Sequence, residues 1–125
     1  MNVLIFNCGS SSQCFKVYQT GTDGSEVVIA AGKTRNLAAQ TRSAVVTEWQ
    51  VRAQSGSRSV ELAGHRQAAE AHLAILADNG VPVDAVGHRF VHGGDLFHHT
   101  AKIDAETLPQ LRACLPLAPI HNPNS

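Results

Sequence analysis

The sequence predicts an α/β fold, a mixed sheet built largely from consecutive hairpins with helices flanking it. Three observations lead there. Residues 2–62 carry repeated period-two alternation broken by small polar turns, residues 66–79 switch to helical spacing, and a further strand and helix follow.

Asn2 to Asn7 is a short apolar run of β-formers ending in Cys8-Gly9-Ser10-Ser11-Ser12, a strand entering a small-residue loop. Phe15, Val17 and Gln19 alternate with Cys14, Lys16 and Tyr18 as a second strand. Thr20 to Ser25 supplies turn chemistry, and Glu26 to Ala31 reads as a third strand. Ala44 to Val51 alternates again; the polar stretch Gln54 to Ser59 is expected as its loop, with Val60-Glu61-Leu62 as the returning strand. From Arg66 to Asn79, Ala69, Leu73 and Leu76 recur at helical spacing, and Asn79-Gly80 before Pro82 is a C-terminal stop. Ala85 to His92 is the next strand, ended by Gly93-Gly94. Asp104 is placed to cap a second helix from Ala105 to about Leu115, although Pro109 inside it is awkward. The last ten residues, with three of the five prolines, are expected as an extended tail.

A chain of 125 residues, 43% hydrophobic, has the length of one domain and too much apolar content for disorder. Ten Lys+Arg balance ten Asp+Glu with no basic run, which argues against nucleic acid or an acidic membrane surface as the main partner. Val3 to Phe6 is too short for a membrane span or a signal-peptide core, so a cytoplasmic protein is expected. Cys8, Cys14 and Cys114 follow no CxxC spacing and read as free thiols.

Three segments carry chemistry. In Asn7-Cys8-Gly9-Ser10-Ser11-Ser12 a tight turn can aim N–H and hydroxyl donors at phosphate oxygens, with the Asn7 amide near a hydrated Mg²⁺; the same hexapeptide is equally the material of a plain turn. In Gly87-His88-Arg89-Phe90-Val91-His92-Gly93-Gly94, strand alternation sets Arg89 and Val91 on one face. A guanidinium beside an apolar wall suits a short carboxylate, or else Arg89 pairs with a structural carboxylate. In Ala118-Pro119-Ile120-His121-Asn122-Pro123 two prolines stiffen a His-Asn pair. His88, His92, His98, His99 and His121 are the candidate metal ligands, and His88 and His92 have the i, i+4 spacing of a helical zinc pair. Their segment reads as a strand, however, and there is no HExxH or cysteine pair, so His88 and His92 are expected to be hydrogen-bonded packing residues and His98-His99 a solvated loop.

In this order the three segments resemble the acetate kinase family, the acetate and butyrate kinases of the sugar kinase, Hsp70 and actin superfamily. The resemblance implies a ribonuclease H-like (actin-like ATPase) domain, here incomplete, with residues 1–125 as its single truncated N-terminal part. It implies reversible, Mg²⁺-dependent transfer of a phosphoryl group from ATP to acetate or a related short carboxylate, in a homodimer. Position by position, Asn7 would help place Mg²⁺ and Ser10, Ser11 and Ser12 would lie near the phosphates. Arg89 would hold the carboxylate or acetyl phosphate, Val91 and Ile120 would line the methyl pocket, and His121 would meet the transferring phosphoryl group. Such chemistry asks for in-line positioning and positive charge on the equatorial oxygens.

Two departures accompany the resemblance. The lysine usual in the family two residues after the last serine is replaced by Cys14: either Lys16, which shares strand parity with Cys14, substitutes through a shifted register, or that contact is missing. The family's catalytic Asp, second His, second Arg, metal-binding Glu and adenosine pocket lie beyond the position of Ser125, so the chain is expected to be a fragment inactive alone. The alternative from another class is a non-catalytic carboxylate- or phosphate-binding module, or a decayed kinase remnant.

Overall fold

The computed structural model describes residues 1–37, 45–60 and 64–124. Strands β1 (Asn2–Cys8), β2 (Ser12–Thr20), β3 (Glu26–Arg35), β4 (Val45–Val51) and β5 (Gln54–Val60) are followed by helix α1 (His65–Asp78), strand β6 (Ala85–His88) and helix α2 (Thr107–Ala113). Short 3-10 turns close the chain at Leu115–Leu117 and Asn122–Asn124. The six strands form one mixed sheet in the order β5-β4-β3-β2-β1-β6, in which β1 to β5 are an antiparallel meander and β6 returns parallel to β1. The α/β class read from the sequence is therefore the class observed.

Alternation decides which face is covered. Leu4, Phe6, Cys8, Phe15, Val17, Ala30 and Val51 point to one side and are buried there, each large side chain contributing roughly 1.5–3 kcal/mol by leaving water. Helix α1 packs on β2 and β3, presenting Ala68, His72, Ile75 and Leu76 inward. Gly32 in β3 is dictated by Phe15 of the neighbouring strand, because a Cβ there would overlap the Phe15 ring and come within 2.9 Å of the Glu48 carbonyl oxygen. In the same layer the fully buried His72 sets Nε2 at 2.7 Å from Thr34 Oγ1, itself 2.7 Å from Thr47 Oγ1. Its ring centroid is 4.7 Å from that of Phe15, and burial pushes its pKa down to about 4.

Four expectations are corrected. Gln54 to Ser59 is not a loop but most of strand β5, paired with β4 across a two-residue turn in which Arg52 adopts φ 52°. Backbone ladder bonds hold this polar edge strand, and Gly56 leaves room for the Trp49 ring. Of the expected strand Val60 to Leu62, Glu61 and Leu62 lie outside the described residues. Ala85 to His92 is strand only as far as His88; the Arg89 N–H reaches the Phe6 carbonyl at 3.2 Å, after which the N–H and C=O of His92 are both taken by the Asn122 side chain. The backbone groups of His92 are thus satisfied by a side-chain amide and not by a ladder, and Arg89 and Val91 both lie past the end of β6. The second helix begins at Thr107, two residues later than expected, so Pro109 falls in the first turn, where its missing N–H has no intrahelical partner to lose. Asp104 still serves that end, accepting the N–H groups of Thr107 and Glu106 at 3.0 Å each, bonds that lower its pKa. The expected extended tail is folded into the two 3-10 turns and tied down by the buried Asn122.

The chain divides into two compact units, Met1–Arg89 and Phe90–Ser125. The first holds the sheet and α1; the second holds α2 and the 3-10 turns.

Candidate functional site

In the unit Met1–Arg89, the small-residue loop is a tight turn between β1 and β2. The Gly9 N–H donates to the Ser12 carbonyl at 2.7 Å, leaving Ser10 and Ser11 exposed at the tip. Their own N–H groups meet no backbone acceptor among the described residues. Two further bonds fix the turn: the Leu37 N–H donates to the Ser11 carbonyl at 3.0 Å, and His65 Nε2, at the start of α1, lies 2.6 Å from the Gly9 carbonyl oxygen. A turn held by Leu37, just past β3, and by His65 of α1 presents its donors at little entropic cost.

Asn7 is exposed at the carboxyl end of β1. The parallel register pairs Phe6 with His88, so the next residue, Arg89, follows beside Asn7 at the carboxyl end of β6. Ligands of α/β sheets bind outside these carboxyl ends. The exposed His88 rests its ring against Phe6, centroids 5.4 Å apart, and partial desolvation lowers its pKa.

The sheet register also settles the place of Lys16 and finds a cation that sequence reasoning missed. Asn7, Cys14, Lys33 and Glu48 form one row across β1 to β4, on the face opposite α1. Lys16 lies on the same face one pair further from the turn, opposite Ile5 and Ala31. Cys14 is half-buried and Cys8 buried, and all three cysteines are free thiols. Burial raises the Cys8 pKa, partly offset by the Gln13 amide, which donates to its Sγ at 3.4 Å; such a thiol is a packing group rather than a nucleophile.

In the unit Phe90–Ser125, Val91, Ile120 and His121 are all exposed, and the His121 N–H closes a turn on the Ala118 carbonyl at 3.0 Å. What fixes them is Asn122, 1% exposed. Its Nδ2 donates to the carbonyls of His92 and Cys114 at 3.0 and 2.8 Å, and its Oδ1 accepts the His92 N–H at 3.2 Å. The Gly pair answers to close approach: a Cβ on Gly93 would lie 2.6 Å from Phe97 Cβ, and Gly94 takes φ 59° while donating its N–H to His92 Nδ1. Sequence reasoning gave a role to His121 but none to Asn122, which holds His92 thirty positions back and Cys114 eight, and passed over His65, whose partner Gly9 is fifty-six positions away.

Among the described residues no three His, Cys, Asp or Glu side chains gather in a way that would hold a metal ion, and no helix is long and apolar enough to cross a membrane.

The profile of the acetokinase family matches residues 2–125. The chain is 38% identical to an acetate kinase of Pseudomonas aeruginosa over 124 residues, covering 98% of this chain and 30% of that protein. An acetate kinase of Deinococcus deserti is 35% identical over 123 residues, with the same two coverages. Among solved structures, the acetate kinase from Entamoeba histolytica superposes with a TM-score of 0.82 at 39% identity, over all of this chain and 29% of that one. A propionate kinase from Francisella tularensis gives 0.81 at 28% identity, over 98% of this chain and 31% of that one. The chain thus spans about 30% of the length of the proteins it matches.

Proposed function

The chain belongs to the acetokinase family, and from that premise we propose that it carries the phosphate turn and carboxylate clamp of an enzyme that moves a phosphoryl group between ATP and acetate. The observation that carries this reading is the grouping of Arg89, Asn7 and the exposed Ser10-Ser11 tip at the carboxyl ends of the parallel pair β1–β6. The turn offers N–H and hydroxyl donors to ATP phosphates, and Arg89 offers a fork to the acetate carboxylate or to acetyl phosphate. In the second unit Val91 and Ile120 supply apolar surface for the methyl group, and His121 a donor for the transferring phosphoryl oxygens.

For Mg²⁺ the donors present are sparse: the neutral, exposed Asn7 amide beside the turn, with no carboxylate cluster among the described residues. Such a set fits a hydrated ion carried in on phosphate oxygens, with the Asn7 oxygen meeting a water of its shell. Bound there, the ion would neutralise charge on the phosphates. Three free thiols suit the reducing cytoplasm, where we place the protein.

The test is titration of the 125-residue chain with acetyl phosphate, followed by amide NMR. Arg89→Ala is expected to weaken binding roughly ten- to a hundred-fold, with the Ser10 and Ser11 amides still responding to ATP. Unchanged acetyl phosphate affinity in a folded Arg89→Ala chain would reject the clamp. The chain spans about 30% of the length of the proteins it matches, and alone it is expected to bind without turnover. ADP formed from ATP and acetate by the 125-residue chain would overturn that part.

A further inference from the structure

We propose that Lys33, and not Lys16, is the cation that holds phosphate at the Ser10–Ser12 turn, taking the place left by a small thiol at Cys14; this deepens the reading above and rests on it. The register makes the case. Cys14 pairs with Asn7 on one side and Lys33 on the other, so the lysine belongs to the row that runs into the site. Ser12 pairs with Arg35, two residues along from Lys33. With strands ~4.8 Å apart and ~3.4 Å per residue, the Lys33 backbone is ~8 Å from Ser12, whereas Lys16, four residues along its own strand, is ~13 Å away. A flexible four-carbon stem bridges the first gap and falls short over the second.

Charge on this face points the same way. Glu48, the cross-strand partner of Lys33, has its carboxylate on Arg35 Nη1 at 3.0 Å. Of the basic side chains Lys16, Lys33 and Arg35, only Arg35 forms an ion pair among the described residues. Cys14, between Asn7 and Lys33 in the row, carries the shortest side chain of the three. The half-buried Lys33 can thus extend across Cys14 toward Asn7 and the turn, while the exposed Lys16 faces solvent further along the strand.

The proposal is tested by titrating inorganic phosphate and ATP into the 125-residue chain and its variants, reading the Ser10 and Ser11 amides by NMR. Lys33→Met is expected to weaken phosphate binding about tenfold, Lys16→Met less than twofold, and Cys14→Lys in the Lys33→Met background is expected to restore affinity, because the new ammonium arises one strand away in the same row. A folded Lys33→Met chain with unchanged affinity, or a loss that follows Lys16→Met instead, would overturn the assignment while leaving the turn as a phosphate site. If phosphate and ATP fail to move the Ser10 and Ser11 amides of the unaltered chain, the turn reading falls, and the Lys33 assignment falls with it.

Discussion

Lowering the pH from 7 to 4 is expected to remove about 3 kcal/mol of folding stability through His72 alone. Desolvation between α1 and the sheet holds this histidine at about 4 when folded, against 6.5 for an unburied ring. The unfolded chain therefore binds the proton first: the contribution is complete above about pH 6.5, declines as pH falls toward 4, and is flat below that. Thr34 can serve only one nitrogen of the charged ring, because Phe6 and Phe15 border it and its Nδ1 has no hydrogen-bond partner among the described residues. Urea unfolding at pH 7, 5.5 and 4 measures the effect, and His72→Phe provides the comparison, since Thr34 and Thr47 keep their mutual bond. The native curve should fall more steeply with acid than that of the variant. Parallel curves would show that His72 is not the group responsible.

Asn122→Asp is expected to loosen the unit Phe90–Ser125 nearly as much as Asn122→Ala, by roughly 2–4 kcal/mol. The aspartate keeps an acceptor for the His92 N–H but loses both donors, stranding the carbonyls of His92 and Cys114 in a buried setting. Amide exchange resolves the outcome: protection at His92 and through 114–122 should collapse while β1 to β3 retain theirs. An Asn122→Asp chain with native protection at His92 would refute the role given to the amide donors.

Sequence legibility followed the reach of the interactions. Phe15 and Val17 alternate because one sheet face is buried, and Asn79-Gly80 stops α1 through local backbone chemistry; both signals lie within a few residues of what they determine. Strand β5 was unreadable because an edge strand of Ser, Gly and Arg carries no apolar period; its partner's backbone holds it. Lys16 was the natural substitute from parity alone. That Lys33 sits opposite Cys14 depends on the β2–β3 turn and on the register shift between Val17 and Tyr18, neither of which leaves a mark in composition. The serine turn and Arg89 were visible as residue types, but the parallel register that puts Arg89 beside Asn7 was not.

The parallel pairing of β6 with β1 also has a kinetic consequence. The hairpins from β1 to β5 close over short stretches of chain, whereas Val3 must find Ala85 across some eighty residues. Loop-closure entropy delays such a contact until the meander and α1 have formed. Strand β6, only four residues long, is then the last to zip and the first to detach. Its departure would carry Arg89 with it, so the guanidinium is expected to leave the carboxyl end of β1 in excursions far milder than unfolding. Hydrogen exchange should report this as lower protection at 86–89 than at the centre of β2; equal protection in the two strands would contradict a late-closing β6.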